Sequence, residues 1–261
     1  KKDNIGIFYG YIFKIKRSSD ETLSITAYDQ IRYLLNKDTY VFKNKRADEI
    51  IRKIATDFNI KLGTIENTDY KIPLMVEDGQ TLLDIIYKTL DNTLINTGKM
   101  YVLYDSFGSI TLKNITSMFT DLIIGDSSLL TSYSYDRSID GDSYNKIKLY
   151  KDNKQTGKRE VFIVKDSSKI KKWGLLQYYE KVNDKLNEAQ IRKRANQLQS
   201  VKNRVVKGLS LDCIGDLSIR AGNSIYVDIK GIDLKQRFIV DNAKHNFSNN
   251  QHTMSLTLKV I

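Results

Sequence analysis

The stretch "AKHNFSNNQHTMSLTLKV" at residues 243–260 holds both histidines of the chain and decides how its last third is read. From His252 the even positions run His252, Met254, Leu256, Leu258, Val260, while the odd ones run Thr253, Ser255, Thr257, Lys259. Alternation with period two buries one face of a strand and leaves the other wet. Upstream, "RFIVDNAKHNF" is β-prone, and "SNNQ" supplies turn residues between the two runs. A hairpin turning at 248–251 would set Phe247 opposite His252 and His245 opposite Met254, with the histidines diagonal on one face. A shared metal would need further ligands, and the rest of that face is apolar, with no Cys or carboxylate cluster. Packing or hydrogen bonding is the reading these residues favour.

Working back from the hairpin, "RVVKGLSLDCIGDLSIRAGNSIYVDIKGIDLKQRF" is strand after strand, punctuated by Gly208, Gly215, Gly222 and Gly231. "SIYVDI", "QRFIVDNAK" and "HTMSLTLKV" predict three neighbouring antiparallel strands within 225–260, part of a barrel or sandwich. The lone cysteine, Cys213, lies in such a run and reads as a small buried hydrophobe. Earlier, "SLLTSYSYDRSIDGDSYNKIKLYKDNKQTGKREVFIVKD" carries three β-like runs with "DGD" and "NKQTG" as breaks. "DSSKIKKWG" reads as a short helical turn and "LLQYYEKV" as a strand. A helix follows near 187–203, opened by Asn187 with Gln190 three residues on. Its apolar set, Ala189, Ile191, Ala195 and Leu198, is modest and places it on a surface.

The first half mixes helix and strand. "YGYIFKIKR" and "TLSITAYD" predict a hairpin turned by "SSDE", with Tyr11, Phe13 and Ile15 alternating. "ADEIIRKIATDFNI" places Ile50, Ile51, Ile54 and Phe58 on one helical face. A second helix runs from a Thr81–Asp84 capping pair to Gly98, with Leu82, Ile85, Ile86, Thr89 and Leu90 as its buried stripe. "KMYVLYDSFGSITLKN" predicts a hairpin with Gly108 at its turn.

With 261 residues, two or more cores are expected unless the chain forms one large barrel, and 41% apolar residues argue against disorder. No apolar run is long enough to span a bilayer, and no signal-peptide pattern opens the chain. The start lacks a methionine and enters a strand-like run at once, which reads as a fragment or processed product. The net charge of +11 permits an anionic partner. Along the sequence, however, the basic residues are scattered, with "KIKKW" (169–173) and "IRKRANQ" (191–197) the densest runs, and no nucleic-acid motif accompanies them. The tyrosines sit mostly in alternating strand patterns, where packing explains them.

Catalytic patterns are thin. There is no phosphate-cradling glycine loop, nucleophile elbow or zinc-binding His-Glu helix. The acidic clusters are Glu77–Asp78, Asp136 with Asp140 and Asp142, and Asp184 with Glu188. "YDRSIDGDSYN" lacks the ligand spacing and terminal Glu of an EF-hand. No general acid and base can be named, so no catalytic, cofactor-binding or metal residues are assigned, and no enzyme is expected.

The ordered set "GYIFKIKRSSDETLSITAYDQIRYLLNK", "ADEIIRKIATDFNI", "KIPLMVEDGQTLLDIIYKTLDNTLINTGKMYVLYDSFGSITLKN", "SYDRSIDGDSYNKIKLY", "KKWGLLQYYEKV" and "LSIRAGNSIYVDI…QRFIVDNAKHNFSNNQHTMSLTL" resembles the XkdQ/YqbQ-type proteins. These are baseplate hub components of contractile phage tails and phage tail-like bacteriocins, akin to late control protein D hubs and to the N-terminal part of type VI secretion spikes. The resemblance implies a prophage-type virion structural protein without catalytic residues. It also implies a trimer that forms a ring joining tail tube to central spike. The implied partners are the tail tube protein, the central spike protein and other baseplate proteins, with no specific nucleic acid and no stable membrane insertion. The implied place is the baseplate of a virion or tail-like particle, assembled in the bacterial host cytoplasm. The fold expected is α+β and β-rich, with two β-barrel-type domains and a helix-containing α/β region between them. Residues 1–46 give strands of the first barrel, 47–128 the α/β region, and 129–261 the second barrel with the helical insertion near 187–203. Members of the family have a further N-terminal strand segment, so the first barrel is expected to be incomplete here and the isolated chain monomeric or irregularly self-associated. The alternatives are a basic binding module for an anionic polymer (nucleic acid or cell-wall polymer) and a tail-associated cell-wall hydrolase.

Overall fold

The computed structural model describes residues 6–153, 157–184 and 186–260. The opening "KKDNI" and most of the expected "NKQTG" break lie outside them. The chain forms two compact units, the first made of residues up to Ile124 together with Asp216–Val240, the second of Gly125–Gly215 with Asp241–Ile261.

In the first unit, β1 (Tyr11–Arg17) and β2 (Leu23–Tyr28) form the expected antiparallel hairpin as a two-stranded sheet. A 3-10 turn (Gln30–Leu35) leads to β3 (Lys37–Arg46) and α1 (Ala47–Asp57). β4 (Leu62–Ile65), β5 (Lys71–Thr81), α2 (Leu82–Thr97), β6 (Tyr101–Asp105), β7 (Ile110–Asn114) and β8 (Phe119–Gly125) follow. β3 pairs antiparallel with β5, and β7 lies between β4 and β6. Both helices form where periodicity predicts them. Ile50, Ile51 and Ile54 of α1 are buried with Leu82, Ile85, Ile86 and Leu90 of α2 in one core shared with Ile110 and Leu112. Thr81 Oγ1 accepts from the Asp84 N–H at 3.1 Å, and Gly98 ends α2 in the left-handed region at φ 72°.

The second unit begins with β9 (Leu130–Ser138), β10 (Lys146–Asn153), β11 (Lys158–Lys165), α3 (Ser167–Trp173), β12 (Gln177–Lys181), α4 (Glu188–Lys202) and β13 (Val206–Ile214). The chain then returns to the first unit with β14 (Ser224–Ile229) and enters β15 (Leu234–Ser248), which precedes β16 (Gln251–Lys259). The first part of β15 pairs antiparallel with β14, and the strand is hydrogen-bonded to β16 beyond it, as 225–260 predicts. In the second unit β16 and β9 flank β13. Leu209, Leu211 and Cys213 face Leu258, Leu256 and Met254 across the β13–β16 ladder, and all six are buried. A separate three-stranded sheet, β11–β10–β12, packs Ile147 and Leu149 against Ile191 and Ala195 of α4. Asn187 and Gln190 cap α4 reciprocally, at 2.9 and 3.0 Å.

The β-rich α+β class holds. β3 joins the helical core through its ladder with β5, and 216–240 returns to the first unit because β14 and the start of β15 pair there.

Candidate assembly surface

The two histidines meet as the register predicts. His245 Nδ1 and His252 Nε2 lie 2.9 Å apart, one donating to the other. Asn249 and Asn250 both take positive φ, 50° and 60°, the conformation of a two-residue hairpin turn. Phe247 stacks on His252 with ring centroids 4.2 Å apart and planes 15° from parallel. Gly215 packs on the same imidazole and donates its N–H to the His252 carbonyl at 2.8 Å. Among the described residues no three His, Cys, Asp or Glu side chains group closely enough to hold a metal ion.

The acidic clusters are engaged in ion pairs and turns. Glu77 pairs with Lys88, and Asp78 accepts from the Thr39 hydroxyl at 2.7 Å. Asp136 lies over Gly208, Asp140 accepts from the Gly141 N–H, and Asp142 pairs with Lys202. Asp184 accepts from the Asp152 N–H at 3.2 Å, and Glu188 pairs with Arg192 at 2.8 Å.

One charged group escaped the sequence reading. Arg220 lies 4.0 Å over the Tyr104 ring and donates to the Asp105 carbonyl at 2.8 Å. Burial lowers the affinity of its guanidinium for the proton. Burial likewise pushes the Asp29 carboxyl above the usual carboxylate range, with the Ile31 N–H bond opposing and the Asp105 charge adding. Arg220 and Asp105 stand far apart in sequence, so no local spacing signals the cluster. Its bonds tie the 216–223 loop to β6.

The largest unexplained feature is the β1–β2 hairpin. Every residue of β1 is exposed, including Ile12 at 60% and Ile15 at 63%, and Leu23 and Ile25 of β2 are exposed as well. A two-stranded ribbon is marginal alone, and this one presents apolar side chains on both faces. Aromatic contacts brace its base. Phe13 meets Tyr28 edge-on at 5.3 Å, Tyr11 meets Tyr33 at 5.5 Å, and Arg32 lies 5.4 Å over Phe13. Tyr9 rests on Phe107 and on Gly108, whose φ of 88° forms the β6–β7 turn. The buried Gln30 amide donates to the Gly108 carbonyl and accepts from the Lys61 N–H at 3.0 Å, closing the floor of a cleft below the aromatic rings. The outer face of β3–β5 adds a smaller apolar patch, with Val41 opposite Val76 beside Leu74. Periodicity located β1 and β2. It could not show that their apolar side chains are exposed among the described residues.

A family model described as YQBQ-like matches residues 1–259. The protein YqbQ of Bacillus subtilis (strain 168) is 38% identical over 255 residues, covering 96% of this chain and 76% of that protein. The phage-like element PBSX protein XkdQ of the same strain is 38% identical over 256 residues, covering 96% and 77%. In fold, the chain is similar to the prophage MuSo2 43 kDa tail protein from Shewanella oneidensis, with a TM-score of 0.72 at 13% identity over 99% of this chain and 81% of that one. The family match and both relatives run through nearly every element described above, and the chain belongs to the YQBQ-like family.

Proposed function

We propose that this protein is a structural component of a phage-type tail, a baseplate hub that assembles as a trimeric ring joining the tail tube to the central spike. The observation that carries the reading is the β1–β2 hairpin, which exposes apolar residues on both faces. Fully burying a side chain such as Ile12 or Ile15 yields about 1.5–3 kcal/mol, so a hairpin with several of them favours a neighbouring protein as its cover. The shared fold with a prophage tail protein and the kinship with a PBSX element protein support the same setting. The partners are then the tube, spike and other baseplate proteins, and the location is the baseplate of a virion or tail-like particle, built in the host cytoplasm. A structural rather than enzymatic role accords with the acidic clusters, whose carboxylates serve ion pairs and turns.

The test is complementation of a tail particle that lacks this protein, scored by electron microscopy. The wild-type chain should restore complete baseplates, and Ile12→Glu with Ile15→Glu should not. Normal particles assembled with no copy of the chain would refute the proposal.

A further inference from the structure

The chain's positive charge gathers in one part of the fold. Residues 141–205 carry seventeen Lys and Arg against seven Asp and Glu, +10 of the total +11. This segment builds the β11–β10–β12 sheet with α3 and α4, so a surplus that is scattered along the sequence becomes dense in space.

Alternation divides that sheet. Ile147, Leu149, Phe162 and Val164 face α4, so their neighbours face outward. The outward set has an exposed apolar centre, Val161 and Ile163 at 44% and 46%, with Lys146, Lys148 and Lys165 around it. The carboxylate on this face, Asp152, is neutralised by Arg159 at 3.1 Å and Lys181 at 2.7 Å. Among the described residues no carboxylate lies within ion-pairing distance of Lys146, Lys148 or Lys165.

We propose that this outer sheet face docks an acidic protein segment, its carboxylates on the three lysines and its apolar side chains on Val161 and Ile163. Charge complementarity selects the sign, and an apolar centre within a charged rim is the anatomy of a protein interface. A second copy offers no net opposite charge, because outside 141–205 the chain is nearly neutral, with twenty-five Lys and Arg against twenty-four Asp and Glu. Nucleic acid fits less well. Tyr150 and Tyr179 stack on each other at 4.8 Å, and Arg159 and Lys148 lie over them at 4.1 and 5.4 Å, so a stacking base would have to displace these contacts. A phosphate backbone also gives Val161 and Ile163 nothing to bury against. The inference stands apart from the hub reading, since it concerns a different sheet.

The experiment titrates the full chain into a fluorescein-labelled decapeptide of alternating Glu and Val, beside its Lys-Val counterpart and a labelled single strand of about twenty thymidines. Saturable binding of the acidic peptide alone is expected. Lys148→Glu with Lys165→Glu should weaken it about tenfold or more, and Val161→Ser with Ile163→Ser about fivefold. Lys171→Glu with Lys172→Glu, on α3, should change it by no more than about twofold. Thermal melts establish that each variant is folded, and all substituted side chains are at least partly solvent-exposed. Failure of the acidic peptide to bind, equal losses from the α3 pair, or tighter binding of the DNA strand unaffected by the Val161 and Ile163 changes would each overturn the proposal.

Discussion

Gly215 lies flat against the imidazole of His252, so close that a methyl group built on it would overlap the ring. The ring cannot retreat, because Phe247 stacks on it and His245 is bonded to it. Gly215→Ala should therefore cost about 1–3 kcal/mol, the range for overpacking a filled site, in denaturant melts. A change below about half a kcal/mol would mean that the ring moves freely and that the histidines are not a packing device.

Leu256 tests the same sheet from within. It is 1% exposed and faces Leu211 across the β13–β16 ladder. Leu256→Ala should cost about 2–5 kcal/mol, whereas Thr257→Ala, on the wet face of the same strand, should stay within about half a kcal/mol. Equal losses from the two would show that the faces had been assigned backwards.

The alternation of 252–258, the apolar stripes of α1 and α2, and the caps at Thr81 and Asn187 were legible because each depends on neighbours within one turn or one strand. The parallel pairing of β10 with β12 and the return of 216–240 to the first unit were not, since strand partners far apart in sequence leave no local period. The aromatic and aliphatic residues of β1 read as an alternating strand, and local pattern says nothing about how exposed its faces are. Charge was misleading for a related reason: spacing in the sequence conceals crowding on a sheet that brings Lys146 opposite Lys165.

Asp48 links the first core to pH. The carboxylate is buried and accepts from Arg46 Nε at 2.9 Å, Arg46 Nη2 at 3.0 Å and Thr68 Oγ1 at 3.0 Å. Burial alone would raise its pKa, but the Arg46 guanidinium and the Thr68 bonds outweigh it and hold the carboxyl below its ordinary value of 3.8. A depressed carboxylate contributes stability that is complete above the unfolded pKa and is lost as pH falls through the folded one. Asp48→Asn should cost about 1–3 kcal/mol near neutral pH, with the difference from wild type shrinking in acid. A difference independent of pH would contradict the assignment.

The hairpin should matter to assembly and not to folding. Ile12→Ser with Ile15→Ser changes two mostly exposed side chains, so melts of the isolated chain should shift by no more than about half a kcal/mol per site. Sedimentation of the wild-type chain should show monomer or weak, irregular association, because an obligate ring needs large and well-packed contacts. A stable trimer at sub-micromolar concentration would instead place the main trimer contacts within these residues.

The central claim is that a neighbouring protein covers the β1–β2 hairpin in a tail particle. Hydroxyl-radical footprinting of purified particles and of the free chain tests it most directly. Tyr9, Tyr11, Phe13 and Ile15 should label readily in the free chain and be strongly protected in the particle, while Thr257 and Lys259 report labelling away from the hairpin. Equal labelling of the hairpin in both samples, or particles that contain no copy of the chain, would contradict the account.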